Sequence, residues 1–269
     1  MKKNTKTIFA VAIVIILMVA IFTTKEYLKK KMIVKDIPTM KICSTKEQLL
    51  SKDKYTINQK TDTYKVSVDV ELPQDIEISQ MLTQKINTIM QEFITSTNTL
   101  TQEDLAMSAS IHEQVITGEF YVYKNIINYS LHVYNYTGGA HGITSYQTFI
   151  IPISSGVALN FPTIVTSPEL FKTVISSTII PTIITQLADV YGGNSEYYNK
   201  KTLEDQLLKS DTWLDNFNTF KVSEKGIIFV FGAYQIAPYS SGEPEILVPW
   251  NIISPVLTQE FLATTKLCK

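Results

Sequence analysis

Apolar and polar residues alternate without a break from Tyr64 to Leu72. A period of two is the signature of a strand with one dry face, here Tyr64, Val66, Val68, Val70 and Leu72. Pro73 ends the run, because proline has no amide hydrogen to give to a ladder. The period then changes. Ile78, Met81, Leu82, Ile86, Ile89, Met90 and Phe93 recur at spacings of three and four, which predicts an amphipathic helix over 76–94. A polar break from Thr95 to Thr101 follows.

A second strand group spans about 106–151. Met107 to Ile116 reads as one strand, with Glu119 to Tyr123 as its hairpin partner across Gly118. The next strand places Ile127, Tyr129, Leu131, Val133 and Asn135 on one face, and Ser130, His132, Tyr134 and Tyr136 on the other. Gly138-Gly139 turns the chain, and Thr144 to Ile151 returns until Pro152. Ser167-Pro168-Glu169 is a helix start, so 167–190 is predicted helical, kinked or split at Pro181. Leu203 to Phe217 is a weaker helix. Phe220 to Val222 and Gly226 to Tyr234 form a hairpin, and Glu245 to Val248 a last strand. Asn251 to Phe261 is a helix interrupted by Pro255. Strands that cluster, instead of alternating singly with helices, predict an α+β fold: an antiparallel sheet, arranged as a meander, with packed helices.

One segment fits neither period. Thr7 to Thr24 is 18 uncharged residues, eleven of them Ile, Leu, Val or Phe. Its transfer into a bilayer is favourable by about 3–6 kcal/mol. Ile21-Phe22-Thr23-Thr24-Lys25 lacks the small residues a signal peptidase needs, so an uncleaved signal-anchor is expected. The expected layout is a short cytoplasmic head at 1–6, a transmembrane helix at 7–24 and a Lys-rich juxtamembrane stalk at 25–54. An N-terminal α+β part at 55–140 and a C-terminal α+β part at 141–269 of one ectodomain follow. The large domain is expected outside the cytoplasm, at the cell membrane, since large domains translocate largely regardless of flanking charge.

Composition narrows the function classes. Lys+Arg is 24 and Asp+Glu is 25, so a nucleic-acid partner bound by bulk positive charge is not expected. Two Cys and three His are too few for zinc-finger or iron–sulfur ligation, and no metal or cofactor is expected. Cys43 and Cys268 bracket the folded part. Two readings stand: a disulfide formed in an oxidising compartment, or two unrelated free thiols. Asn128-Tyr129-Ser130 and Asn135-Tyr136-Thr137 match the glycosylation pattern inside predicted strands, where it carries little weight.

Two segments could carry function. In Tyr134-Asn135-Tyr136-Thr137-Gly138-Gly139-Ala140-His141-Gly142, glycines around one histidine permit positive φ and close backbone approach. A ligand loop would use that freedom, and so would a sheet corner. In Tyr234-Gln235-Ile236-Ala237-Pro238-Tyr239-Ser240-Ser241-Gly242, a rigid proline beside a tyrosine offers contact area at low entropy cost. The alternative is a hairpin loop whose tyrosine packs back on the sheet. No nucleophile elbow, phosphate loop or His-Glu-x-x-His occurs, so no catalytic residue is assigned. Glu243 and Glu245 read as solvated.

Taken together, Tyr136-Thr137-Gly138-Gly139-Ala140-His141-Gly142, Tyr234-x-Ile236-Ala237-Pro238-Tyr239-x-x-Gly242 and Pro249-Trp250 resemble a bacterial extracytoplasmic domain, over roughly 55–262. That domain is the ectodomain of the lysozyme-sensing anti-sigma-V factor. It is also the non-catalytic N-terminal part of some peptidoglycan deacetylases, and it occurs in membrane proteins of unknown function. The resemblance implies a recognition domain, with a cell-wall glycan or a lysozyme-like protein as partner. It implies ligand contacts from Tyr136, Gly138, Gly139, His141, Tyr234, Pro238, Tyr239 and Gly242. The short head has no counterpart of the sigma-holding segment, so sigma signalling is not expected. An enzyme using His141 and a nearby carboxylate on wall polysaccharide, and a structural partner of another envelope protein, are the alternatives.

Overall fold

The computed structural model describes residues 51–101, 111–191 and 199–265. The expected head, anchor and most of the stalk lie outside the described residues, as do Cys43 and Cys268. A mixed five-stranded sheet carries β1 (Lys52–Lys60), β2 (Tyr64–Pro73), β3 (His112–Tyr123), β4 (Ile126–Tyr136) and β5 (Ile143–Pro152) in sequence order. A three-stranded antiparallel sheet carries β6 (Phe220–Val222), β7 (Gly226–Val230) and β8 (Glu245–Pro249). The α+β expectation holds, and most pairings are antiparallel.

The uninterrupted meander does not hold. β2 and β3 run parallel, with Tyr64 opposite His112 and Val70 opposite Gly118. Parallel neighbours need a crossover, and helix α1 (Ile76–Asn98) connects the two strands. Asp75 caps α1 by accepting from the Ile78 amide at 2.9 Å. Its buried stripe of Ile78, Leu82, Ile86 and Met90 meets the dry face of β2, where all five expected residues are buried.

Gly118 is a second correction. It makes no turn, because β3 runs straight through it for 12 residues. A Cβ there would lie 2.7 Å from Leu131 Cδ2 and 2.8 Å from the Tyr129 hydroxyl. The glycine serves close packing within the strand, a use that sequence cannot distinguish from a turn. The boundary expected at residue 140 falls between β4 and β5, which pair with each other in one sheet.

Two cores share β4 and β5. Ile127 and Ile151 join the core under α1, while Ile126 and Ile150 point to the opposite face and join the second core. This is the strand period at work: adjacent residues serve opposite faces. The second core is rich in phenylalanine, with Phe161 at 4.9 Å from both Phe171 and Phe229 between ring centroids. The helix expected at 167–190 forms as α3 (Pro168–Val174), a π turn (Ile175–Ile179) and α4 (Ile180–Tyr191), after a short turn α2 (Phe161–Ile164). The π turn resolves Pro181. A proline ring crowds the carbonyl four residues back, and the wider turn lets the Ile180 amide bond Ile175 instead. By length and composition Pro168–Ala188 could cross a bilayer. It lies mid-chain, and Phe171, Ile175, Ile179, Ile180 and Ile183 within it are buried in the second core.

The weak helix at 203–217 is two pieces, α5 (Lys200–Leu208) and a 3-10 turn at Trp213–Phe217. Proline likewise divides the last helix into α6 (Trp250–Ile253), a 3-10 turn and α7 (Gln259–Thr264). Three hydrogen bonds tie β6 to the first sheet. Phe220 N–H donates to Thr148 Oγ1 at 2.8 Å, Val222 N–H to Asn128 Oδ1 at 2.6 Å, and the Tyr121 hydroxyl to the Val222 carbonyl at 3.2 Å. The Asn128 sequon is therefore a buried structural amide, not an accessible glycan acceptor.

Candidate functional site

The strand expected to reach Tyr234 ends at Val230, and residues 231–244 form a loop to β8. Its neck is pinned where Phe231 N–H donates to the Pro244 carbonyl at 3.0 Å. Gln235 braces the first limb: its Oε1 accepts from Gly232 N–H at 2.9 Å, and its Nε2 donates to the Asn216 carbonyl at 3.1 Å. Ile236 is sunk in the second core. Pro238 then leads into a single 3-10 turn, Tyr239–Ser241, and Gly242 leaves it at φ 66°.

This loop meets the β4–β5 corner. The Tyr239 ring stacks on His141 with centroids 4.5 Å apart and planes 24° apart. Its hydroxyl donates to the Gly142 carbonyl at 3.2 Å. The same carbonyl lies 3.0 Å from His141 Nδ1, and a carbonyl can only accept, so Nδ1 carries the hydrogen. Tyr234 lies beyond Tyr239, 5.8 Å between centroids. His141, Tyr239 and Tyr234 thus form a short aromatic column. At the corner itself, Gly138 and Gly139 hold φ of 96° and 95°, and the Tyr136 hydroxyl donates to the Gly139 carbonyl at 3.0 Å. Gly142 lies close against Tyr134: a Cβ there would sit 2.4 Å from the Tyr134 ring, so the ring would have to shift. The two glycine- and tyrosine-rich segments singled out in the sequence therefore form one surface.

Tyr234 is 57% exposed and holds φ 66°, the left-handed region that a bulky residue rarely occupies. Exposed Ile143 adds apolar area at the start of β5. The column stands at the Lys60–Tyr64 end of the first sheet, since Glu113 pairs with Tyr136 there. The chain enters the described fold at Lys52, opposite Pro73 at the other end. The 11 residues of β4 separate the two ends by roughly 35 Å.

A polar group unforeseen from the sequence lies behind the loop. Lys221 Nζ pairs with Glu245 Oε1 at 2.6 Å and sits 4.9 Å above the Tyr146 ring. Burial opposes the Lys221 charge, but hydrogen bonds to Glu245 and Tyr146 outweigh it and hold the ammonium above its ordinary value. His132 meets Tyr146 edge-on at 4.4 Å, and the Tyr146 hydroxyl donates to Ser130 at 2.8 Å. Glu243 is not the solvated residue expected. Its Oε1 is buried without a hydrogen-bond partner, and burial pushes its carboxyl up, with His132 and Lys221 pulling down and Glu245 pushing up. The strand period puts His132 on the face of β4 opposite Tyr129, but no local signal links it to position 243. Among the described residues, no three His, Cys, Asp or Glu side chains are gathered to hold a metal.

Residues 170–251 match the family described as "Protein of unknown function (DUF3298)". The match takes in the Tyr234–Gly242 loop, Glu243 and Trp250, but not the corner at 136–142. No curated protein matches the chain. Two crystal structures are similar in fold. One is a member of the DUF3298 family from Bacteroides fragilis NCTC 9343, 18% identical, with a TM-score of 0.53, covering 80% of this chain and 97% of that one. The other is a DUF3298 family protein from Pseudomonas aeruginosa PAO1, 12% identical, with a TM-score of 0.56, covering 81% and 97%. This chain therefore carries a DUF3298 match over residues 170–251, within an α+β fold like that of two DUF3298 proteins.

Proposed function

We propose that this chain is a membrane-anchored extracytoplasmic recognition domain, and that the aromatic column binds a cell-wall glycan. The observation that carries the reading is the Tyr239 stack on His141, with strained, exposed Tyr234 beside it. Tyrosine presents a large, rigid face with two χ angles to immobilise, and its hydroxyl can hydrogen-bond at the rim. The flat apolar faces of sugar rings complement such a surface. Backbone strain held at an exposed tyrosine fits a surface maintained for contact. The column also stands at the end of the sheet remote from Lys52.

A wall-directed protein such as lysozyme is the second reading. It is favoured by the resemblance of the 136–142 and 234–242 motifs to the lysozyme-sensing ectodomain. Calorimetry of the full chain in nanodiscs, titrated separately with muropeptides and with lysozyme, tests both. Muropeptide binding that weakens at least tenfold in Tyr239→Ala supports the first reading. Lysozyme binding with the same sensitivity supports the second. Silence with both ligands removes the recognition function.

A further inference from the structure

We infer that Glu243 is a proton-linked latch on the Tyr234–Gly242 loop: the loop stays docked on the β4–β5 corner while this carboxyl is neutral, and loosens when it ionises. The inference concerns regulation of the site proposed above, and rests on that reading only for the ligand whose binding it would modulate.

The geometry supplies the device. The loop is fixed at its neck by the Phe231–Pro244 bond and along its first limb by Gln235. Its tip meets the other sheet through Tyr239, whose hydroxyl donates to the Gly142 carbonyl and whose ring stacks on His141. Glu243 lies on the return limb, immediately after Gly242, whose φ of 66° permits the sharp change of direction. In the docked loop the Glu243 Oε1 is out of water with nothing to bond.

The charges facing that carboxyl decide which form it prefers. From β8 comes Glu245, and from β6 comes Lys221, which Glu245 already neutralises at 2.6 Å. An ionised Glu243 would put a second carboxylate against one ammonium. From β4 comes His132, whose positive form would favour the ionised acid, and from β5 the Tyr146 ring lies between His132 and Lys221. Burial is the largest influence and opposes ionisation, so the carboxyl titrates above its ordinary 4.5. The docked loop thus binds a proton more tightly than a loop released to water. By linkage, acid favours docking and rising pH opposes it. An envelope surface that acidifies would grip its ligand more firmly.

Amide hydrogen exchange over Tyr234–Gly242 in the full chain, without ligand, reads the latch directly. With rates corrected for intrinsic exchange, protection should fall at least threefold between pH 4.5 and 7.5. In Glu243→Gln, which keeps the shape and removes the titration, it should stay high and flat. Protection that is flat in the wild type, or equally pH-dependent in Glu243→Gln, overturns the inference. So does a pH dependence lost in His132→Gln and kept in Glu243→Gln, because His132 would then be the sensor. Melting curves confirm that each variant is folded. No ligand enters this measurement, so failure of the recognition reading would leave the latch intact, and failure of the latch would leave binding intact.

Discussion

Tyr234 illustrates a conflict resolved at a single residue. A left-handed φ costs a side chain with a Cβ about 1–2 kcal/mol, and more than half of this ring earns nothing from burial. Tyr234→Gly should therefore raise unfolding stability by about 1 kcal/mol in urea titration while weakening ligand binding at the column. Loss of stability in that variant would mean that the ring packs the loop and does not serve contact. Glu243 gives the opposite kind of residue-scale test. Its folded-state carboxyl titrates above the unfolded value, so its stabilising contribution is complete below about 4.5 and is lost as pH rises through the folded value. Glu243→Gln should match the wild-type melting temperature near pH 4 and exceed it modestly at pH 7–8. The sequence showed Glu243 beside a loop but not what faces it, because Glu245, Lys221 and His132 converge from three separate strands.

The elements vary in how openly their residues announce them. β2 and α1 were legible to within a few residues, because a period of two or 3.6 is a local property of the chain. Their energetics follow from that burial. Leu82→Ala removes a fully buried anchor of the α1 stripe and should cost about 2–5 kcal/mol, whereas Asp75→Ala, which removes only the cap, should cost about 1 kcal/mol. Chemical denaturation separates the two. Gly118 defeated the local reading. Glycine marks turns and close approaches alike, and only Leu131 and Tyr129 across the ladder decide between them. Gly118→Ala should cost about 1–3 kcal/mol by overpacking, where a true turn glycine without positive φ would have tolerated alanine. Pro181 was read correctly as a disturbance of its helix, but a π turn is one of several ways to absorb it.

At the scale of the whole molecule, two cores share two strands and meet through a few directed bonds. Asn128 is the most telling of these, since its Oδ1 takes the Val222 amide from β6 while the flanking Ile127 and Tyr129 face the α1 core. Asn128→Ala leaves that amide unpaired and should cost about 1–3 kcal/mol. The shared strands predict that unfolding stays a single transition, monitored together by tryptophan fluorescence and far-UV circular dichroism. Two separated transitions would show that the cores fold independently. The docking of the 231–244 loop on the β4–β5 corner belongs to this scale as well. It joins residues nearly a hundred positions apart, with a direct hydrogen bond from the Tyr239 hydroxyl to the Gly142 carbonyl.

Read alone, the chain specified the dry face of β2, the buried stripe of α1 and one of the two buried faces of β4, and that two glycine- and tyrosine-rich segments were worth watching. Periodicity and backbone permissiveness are written in neighbouring residues, so they survive without a structure. The partners were settled only by folding: β3 parallel to β2 across a helix, Tyr239 against His141, and Glu243 within the field of an already satisfied ion pair. Those choices depend on which distant surfaces fill one another's space and cancel one another's charge, quantities that no local pattern contains.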